Sequence, residues 1–248
     1  MGKGFNIMEF TVKCPDCGKE LKVTVEDKEV EKTEIIRKTS TPITWKEISE
    51  KIKAGKAKEF LSVGDIIPIK MKDGQTVNAV VADTELFTNV KEGDSPRVAF
   101  VIEDCLAERH SMNKMCVNKG GWRNSEMRKY LNTKIYNLLP DDPKEVIAER
   151  TIIQNIDGKK LSSTDKLWLL SATEVGHDYE TDEGENRFSL FKDERSRVKQ
   201  VNGETTWCWL RSPSATYDNA FCSVGASGEV GCWYYANNEY GVAFGFLV

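Results

Sequence analysis

The chain has 248 residues, 30% of them charged, with 35 basic against 39 acidic side chains and a net charge of −4. That length buries a core as one large domain or two small ones, and the acidic balance offers no electrostatic grip on nucleic acid. No apolar run approaches a membrane span and the first residues carry no secretory apolar core, so synthesis in the cytosol is expected, with virion or cell-surface association left open.

The seven cysteines, odd in number and irregularly spaced, argue against a disulfide framework. Two of them open the chain. Cys14 and Cys17, with Pro15 between and Gly18 after, form a knuckle that points two thiolates at one metal, flanked by alternating strand residues. Structural zinc needs four ligands, and no second knuckle follows. Zinc here therefore requires a site shared between chains or completed by distant residues; the alternative is a metal-free ribbon. Residues 1–27 thus read as a zinc-ribbon-like segment, and the charge-rich stretch 28–43 as a linker or solvated helix.

From residue 44 the pattern becomes regular. Thr44 and Glu47 have capping-box spacing, Trp45, Ile48 and Ile52 share a helix face, and Gly55 is placed to stop the helix. Strands are predicted at 65–71 and 76–82, joined by an Asp73-Gly74 turn, with a third at 97–103. A helix is predicted from Gly120 to Pro140 on the spacing of Met127, Tyr130, Leu131, Ile135 and Leu138. Asp142-Pro143 then opens a shorter helix, and strands follow at 149–155 and 166–170. Ser171 and Glu174 again have capping-box form. The polar run 176–202 reads as a long surface insertion, and 205–211 as an inner strand. Trp122, Trp168 and one of Trp207 or Trp209 are expected in the core.

The last stretch is different in kind. From Ser212 onward, 37 residues contain no Lys or Arg and only three acids, Asp218, Glu229 and Glu239, yet hold four of the seven tyrosines. Tyr217, Tyr234, Tyr235 and Tyr240 stand among Asn, Ser, Ala and Gly, which is the composition of a binding surface. It is also the composition of turns closing an antiparallel sheet. Chemistry is sparse elsewhere. His110 and His177 lack spaced partners and read as solvated loop residues. Asp141-Asp142 reads as a helix start, and no phosphate, dinucleotide or nucleophile-elbow motif occurs. Cys105, Cys116, Cys208, Cys222 and Cys232 read as small buried hydrophobes. An enzyme is not expected.

Several spaced motifs agree with one family. Gly120-Gly121-Trp122, Ser125-Glu126-Met127-Arg128, Leu131-Asn132, the run Thr164–Ser171, Trp207–Pro213 and Gly241–Phe246 occur in an order that resembles a bacterial and phage domain-of-unknown-function family with a C-type-lectin-like fold. The likeness spans roughly residues 40–248. It implies an α+β domain at 44–248, with mostly antiparallel sheets and two main helices. Some family members are variable proteins of diversity-generating retroelements, in which adenine mutagenesis rewrites codons near the C-terminus. The resemblance implies a scaffold that presents such side chains to a protein or cell-surface ligand. Tyr217, Asp218, Asn219, Ser223, Trp233, Tyr234, Tyr235, Asn237, Asn238 and Tyr240 are the candidate ligand-binding residues, pointing to solvent. AAC- and AAT-type codons randomised at adenine never encode Lys, Glu, Gln, Met or Trp, and within 215–240 only Glu229, Trp233 and Glu239 break that restriction. The lectin calcium triplets are absent, so no calcium is expected. Two alternatives remain: an oxidase like the formylglycine-generating enzymes, using Cys222 and Cys232, and a structural phage or surface protein without a variable site.

Overall fold

The computed structural model describes residues 7–13, 20–26, 43–87 and 96–248, and the chain divides into two units, one within residues 1–33 and one within 34–248. In the first unit β1 (Ile7–Lys13) pairs antiparallel with β2 (Glu20–Glu26). The knuckle cysteines Cys14 and Cys17 lie outside the described residues.

The second unit begins with α1 (Trp45–Lys53), a short turn of helix α2 (Ala57–Phe60), then β3 (Ile66–Lys70), β4 (Thr76–Asp83) and β5 (Ala99–Ile102). The capping box of α1 forms as expected: the Thr44 amide donates to Glu47 Oε2 at 2.7 Å and the Glu47 amide to Thr44 Oγ1 at 3.2 Å. Asp142 lies in the first turn of its own expected helix and also accepts from the Trp45 amide at 3.0 Å, capping α1 from a distance.

The single helix expected from Gly120 is broken. α3 (Gly121–Asn124) stops at Ser125, whose extended backbone and hydroxyl start α4 (Glu126–Tyr130). The chain then winds through a π-turn (Leu131–Ile135) into α5 (Tyr136–Leu138), and Pro140 precedes α6 (Asp141–Val146). β6 (Arg150–Ile156) pairs with β7 (Lys159–Asp165), a strand too polar to stand out in the sequence. The turn between them puts Asp157 at φ 50° and Gly158 at φ 73°, the paired left-handed geometry that hairpins favour.

β8 (Trp168–Leu169) is shorter than predicted, and Ser171 and Glu174 make their reciprocal bonds at a turn with no helix after it. The run 176–202 is not a surface insertion. Phe188 and Phe191 are buried in it, and it ends in β9 (Lys199–Val201), which pairs with β10 (Glu204–Thr206). The last strands are β11 (Cys208–Pro213), β12 (Ala220–Val224), β13 (Val230–Tyr235) and β14 (Phe244–Leu247).

These make a mixed α/β fold with mostly antiparallel sheets. One sheet has the order β3-β4-β5-β14-β8, so the C-terminal strand is inserted between two earlier ones; the other is β11-β12-β13. Trp45 meets Phe100 and Phe246 edge-on at 5.2 and 5.6 Å, locking α1 onto the first sheet. Trp122, Trp168 and Trp209 are all fully buried, as the sequence predicts.

Candidate binding face

The spaced motifs of the sequence build a frame. Asp165 accepts from Trp122 Nε1 at 3.0 Å, Arg128 Nε at 2.5 Å and Ser163 Oγ at 2.7 Å, and Asn132 bridges Arg128 to Leu167. One carboxylate thereby ties the broken helix to the β6-β7 hairpin. Arg211, fully buried, donates to the Leu169 carbonyl at 2.7 Å and pairs with Glu174 at 2.5 Å and Glu185 at 2.6 Å. Arg150 pairs with the same two acids. Burial alone would raise the Glu174 carboxyl, but Arg150 and Arg211 hold it down at about 2. Burial wins at Asp182 and Glu185, whose carboxyls are pushed up. Asp182 accepts the Ser212 hydroxyl at 2.8 Å. These charges are spent on each other; the Leu-Arg-Ser-Pro motif is a strut.

The face built on this frame starts with an irregularity. Phe221 pairs with Tyr234 and Ser223 with Gly231, so Cys222 alone stands opposite both Cys232 and Trp233. This bulge re-aims the side chains of β13. A disulfide joins Cys222 to Cys232, correcting the expectation that both are isolated thiols. Such a bond persists in an oxidising setting rather than a reducing one. At the bulge Trp233 is 60% exposed and past it Tyr235 56%, while Tyr234 between them turns inward. A Cβ on Gly231 would lie 2.8 Å from the Trp233 ring, so the glycine leaves room for the indole to fold back.

Under the exposed rings lies an aromatic ladder. Trp233 meets Tyr234 at 5.5 Å, Tyr234 meets Trp207 at 4.7 Å and Tyr240 at 5.8 Å, and Tyr240 meets the buried Trp209 at 4.7 Å. Tyr240 is held by paired backbone bonds to His110, whose carbonyl also accepts from Trp209 Nε1 at 2.8 Å. His110 stacks on Tyr130 at 4.2 Å. It is a framework residue, not the solvated loop histidine that its surroundings in the sequence suggest. His177 is exposed as expected.

Asn118 fixes the other edge: its side-chain amide donates to the carbonyls of Ser214, Tyr217 and Ala220 at 3.1, 2.8 and 2.9 Å. The loop that carries it also bonds to Asp218, Asn219 and Ala236. Within that loop Met115 is 70% and Val117 46% exposed, beside Tyr217 at 53%. Five of the eight exposed large apolar side chains among the described residues therefore belong to adjoining segments: Met115, Val117, Tyr217, Trp233 and Tyr235.

Of the residues predicted to bind, Tyr217, Asp218, Trp233, Tyr235 and Asn237 are exposed. Asn219, Tyr234, Asn238 and Tyr240 are half-buried and support the face, Asn238 by donating to the Tyr240 hydroxyl at 3.0 Å. Ser223 must be withdrawn. It is fully buried on the central strand of the sheet, where strand alternation and the bulge turn it inward. Met115 and Val117 were missed; the only signal was an apolar Met-Cys-Val triplet inside an Asn/Lys-rich loop. No group of three His, Cys, Asp or Glu among the described residues could hold a metal ion, and no described helix is long and apolar enough to cross a membrane.

Fold and face together define a mixed α/β domain in which a buried polar frame carries a charge-poor aromatic surface on a disulfide-linked hairpin. Residues 96–247 match the family described as Domain of unknown function (DUF6273), and the chain belongs to it. Neither a curated protein nor a solved structure matches the chain.

Proposed function

We propose that the protein binds a macromolecular ligand, a protein or cell-surface molecule, through Tyr217, Asp218, Trp233, Tyr235 and Asn237 with Met115 and Val117 beside them. The observation that carries this reading is the gathering of exposed large apolar side chains onto one set of adjoining segments. Soluble monomers scatter such side chains, and contiguous groups of them mark interaction sites. Rigid aromatics supply contact area at small entropic cost, with Asp and Asn as adaptable hydrogen-bonding groups. No reaction and no calcium enter this reading.

Its specific form is a C-type-lectin-like scaffold that serves as the variable protein of a diversity-generating retroelement. Support comes from the ordered motifs, from the codon restriction over 215–240, and from the concentration of exposed positions in that window. Sequencing the DNA around the gene tests it. A reverse transcriptase and a near-copy of the codons for residues 210–248 are expected; a locus with neither removes the retroelement and leaves a fixed binding face.

The Cys222–Cys232 bond favours one second reading, an oxidase that uses this pair on a substrate cysteine. Turnover of a cysteine-containing peptide under oxygen would support it, and an unchanged peptide would exclude it. Zinc at Cys14 and Cys17 rests on the knuckle sequence. Roughly half an equivalent or more in purified protein, lost in Cys14→Ser, is expected; metal-free protein with both thiols alkylated refutes it.

A further inference from the structure

The Cys222–Cys232 bond crosses the binding face where its backbone pairing is weakest. β13 is an edge strand: among the described residues it pairs with β12 and with no other strand. That pairing is regular at both ends, Val230 with Val224 and Gly231 with Ser223 on one side, Tyr234 with Phe221 and Tyr235 with Ala220 on the other. Between them the bulge sets Cys232 and Trp233 against Cys222 alone, and a bulge interrupts the hydrogen-bonded ladder. The disulfide is the cross-link at that gap. Its two cysteines differ in access, because Cys222 is fully buried on the central strand and Cys232 only half-buried on the edge. The ends of the hairpin have anchors of their own. Gly225 donates to the Glu229 carbonyl at 2.8 Å, Arg197 donates to the Gly228 carbonyl at 3.3 Å, and the Tyr234 ring packs on Trp207 at 4.7 Å. The exposed rings of Trp233 and Tyr235 have the bulged middle of the strand to hold them.

We infer that Cys222–Cys232 is a redox lock on the binding face: a dithiol reductant opens it, the middle of β13 comes away from β12, and Trp233 and Tyr235 lose their fixed place. The inference rests on the reading of those two rings as ligand-binding anchors. One thiolate of the reductant attacks the accessible Cys232 sulfur; the new S–S bond forms, the Cys222–Cys232 bond breaks, and Cys222 leaves and takes a proton. The second thiol of the reductant then gives up its proton and attacks its own sulfur in the mixed disulfide, releasing Cys232, which is protonated in turn. Two electrons and two protons pass to the chain, and the reductant is left as a disulfide. Aromatic anchors bind well because little freedom is lost when a rigid ring is covered. Rings on a loosened strand forfeit that advantage, so the lock confines tight binding to oxidising surroundings.

The test is read without a ligand, so its failure removes the lock and leaves the binding face standing. Folded full-length chain is treated with dithiothreitol in native buffer, and amide hydrogen exchange is followed by mass spectrometry before and after. Cys222 and Cys232 should become alkylatable without denaturant. A simple staple of the fold would speed exchange in every strand alike, whereas a lock loosens β13 beyond the rest. Exchange at Val230–Tyr235 should therefore speed up at least about tenfold more than in β5 and β14 of the other sheet, and reoxidation should restore it. The double variant Cys222→Ala, Cys232→Ala should exchange at the fast rate in non-reducing buffer and show no response to dithiothreitol. The inference is overturned if the bond opens only in urea, if β13 keeps its protection once reduced, or if β13, β5 and β14 speed up by the same factor. Reduced wild-type chain decides the matter should the variant fail to fold.

Discussion

Arg211→Met removes the centre of the buried ion network while keeping much of the side chain's volume. Arg211 is fully buried and makes charged bonds to Glu174 and Glu185, and Glu174 is as deeply buried. After the change, Arg150 alone must balance Glu174 and Glu185, with Asp182 close by. Removing one partner of a buried pair costs about 3–5 kcal/mol, because the other charge stays desolvated. In a domain of this size that lowers Tm by roughly 10 °C.

The pH dependence is a second readout. The folded Glu174 pKa, about 2, lies below its ordinary 4.5. Its contribution, about 3 kcal/mol, is present above pH 4.5 and lost as pH falls towards 2. Asp182 and Glu185 are shifted the other way, so they oppose it at neutral pH. Urea titrations should therefore show a gap between wild type and variant that is wide at pH 7 and closes on acidification. A variant within about 1 kcal/mol of wild type at pH 7, or a gap that does not narrow, would refute the strut assignment.

Trp209→Ala, at the buried foot of the aromatic ladder, should cost about 3–5 kcal/mol, whereas Trp233→Ala at its exposed end should shift stability by no more than about 0.5 kcal/mol; equal costs in urea melts would contradict the assignment of faces. Replacing Cys222 and Cys232 by Ser opens a loop of sequence separation 10. By chain entropy this should lower stability by about 3 kcal/mol in non-reducing buffer, with no difference from wild type once both are reduced.

Local chemistry was readable where neighbours in sequence decide the outcome. The capping box at Thr44, the Asp73-Gly74 turn and the three buried tryptophans all follow from spacing. The misreadings share a different cause. Ser125 breaks the expected helix because its hydroxyl bonds forward to Arg128, an alternative that the apolar period of Met127, Leu131 and Ile135 conceals. β7 is polar because only its pairing with β6 and its bonds to Arg128 and Trp122 hold it. Phe188 and Phe191 anchor a run whose other residues look like a surface loop. The candidate face was legible as a composition, but which of its residues point outward depends on a one-residue bulge opposite Cys222. That bulge buries neither Trp233 nor Tyr235, and Ser223 lies inside. Met115 and Val117 join the face only through hydrogen bonds that span about a hundred residues of sequence.

The central claim is that a rigid frame presents exchangeable side chains. Two libraries of the full chain, displayed on cells and challenged with protease, test it directly. In one, Tyr217, Asp218, Trp233, Tyr235 and Asn237 are randomised together; in the other, Trp209, Phe221, Ser223, Tyr234 and Tyr240. Most members of the first library should resist protease as wild type does, because each exposed change shifts stability by only about 0.5 kcal/mol, and most members of the second should be cleaved. Equal loss of resistance in both libraries would contradict the claim and make the aromatic stretch part of the core.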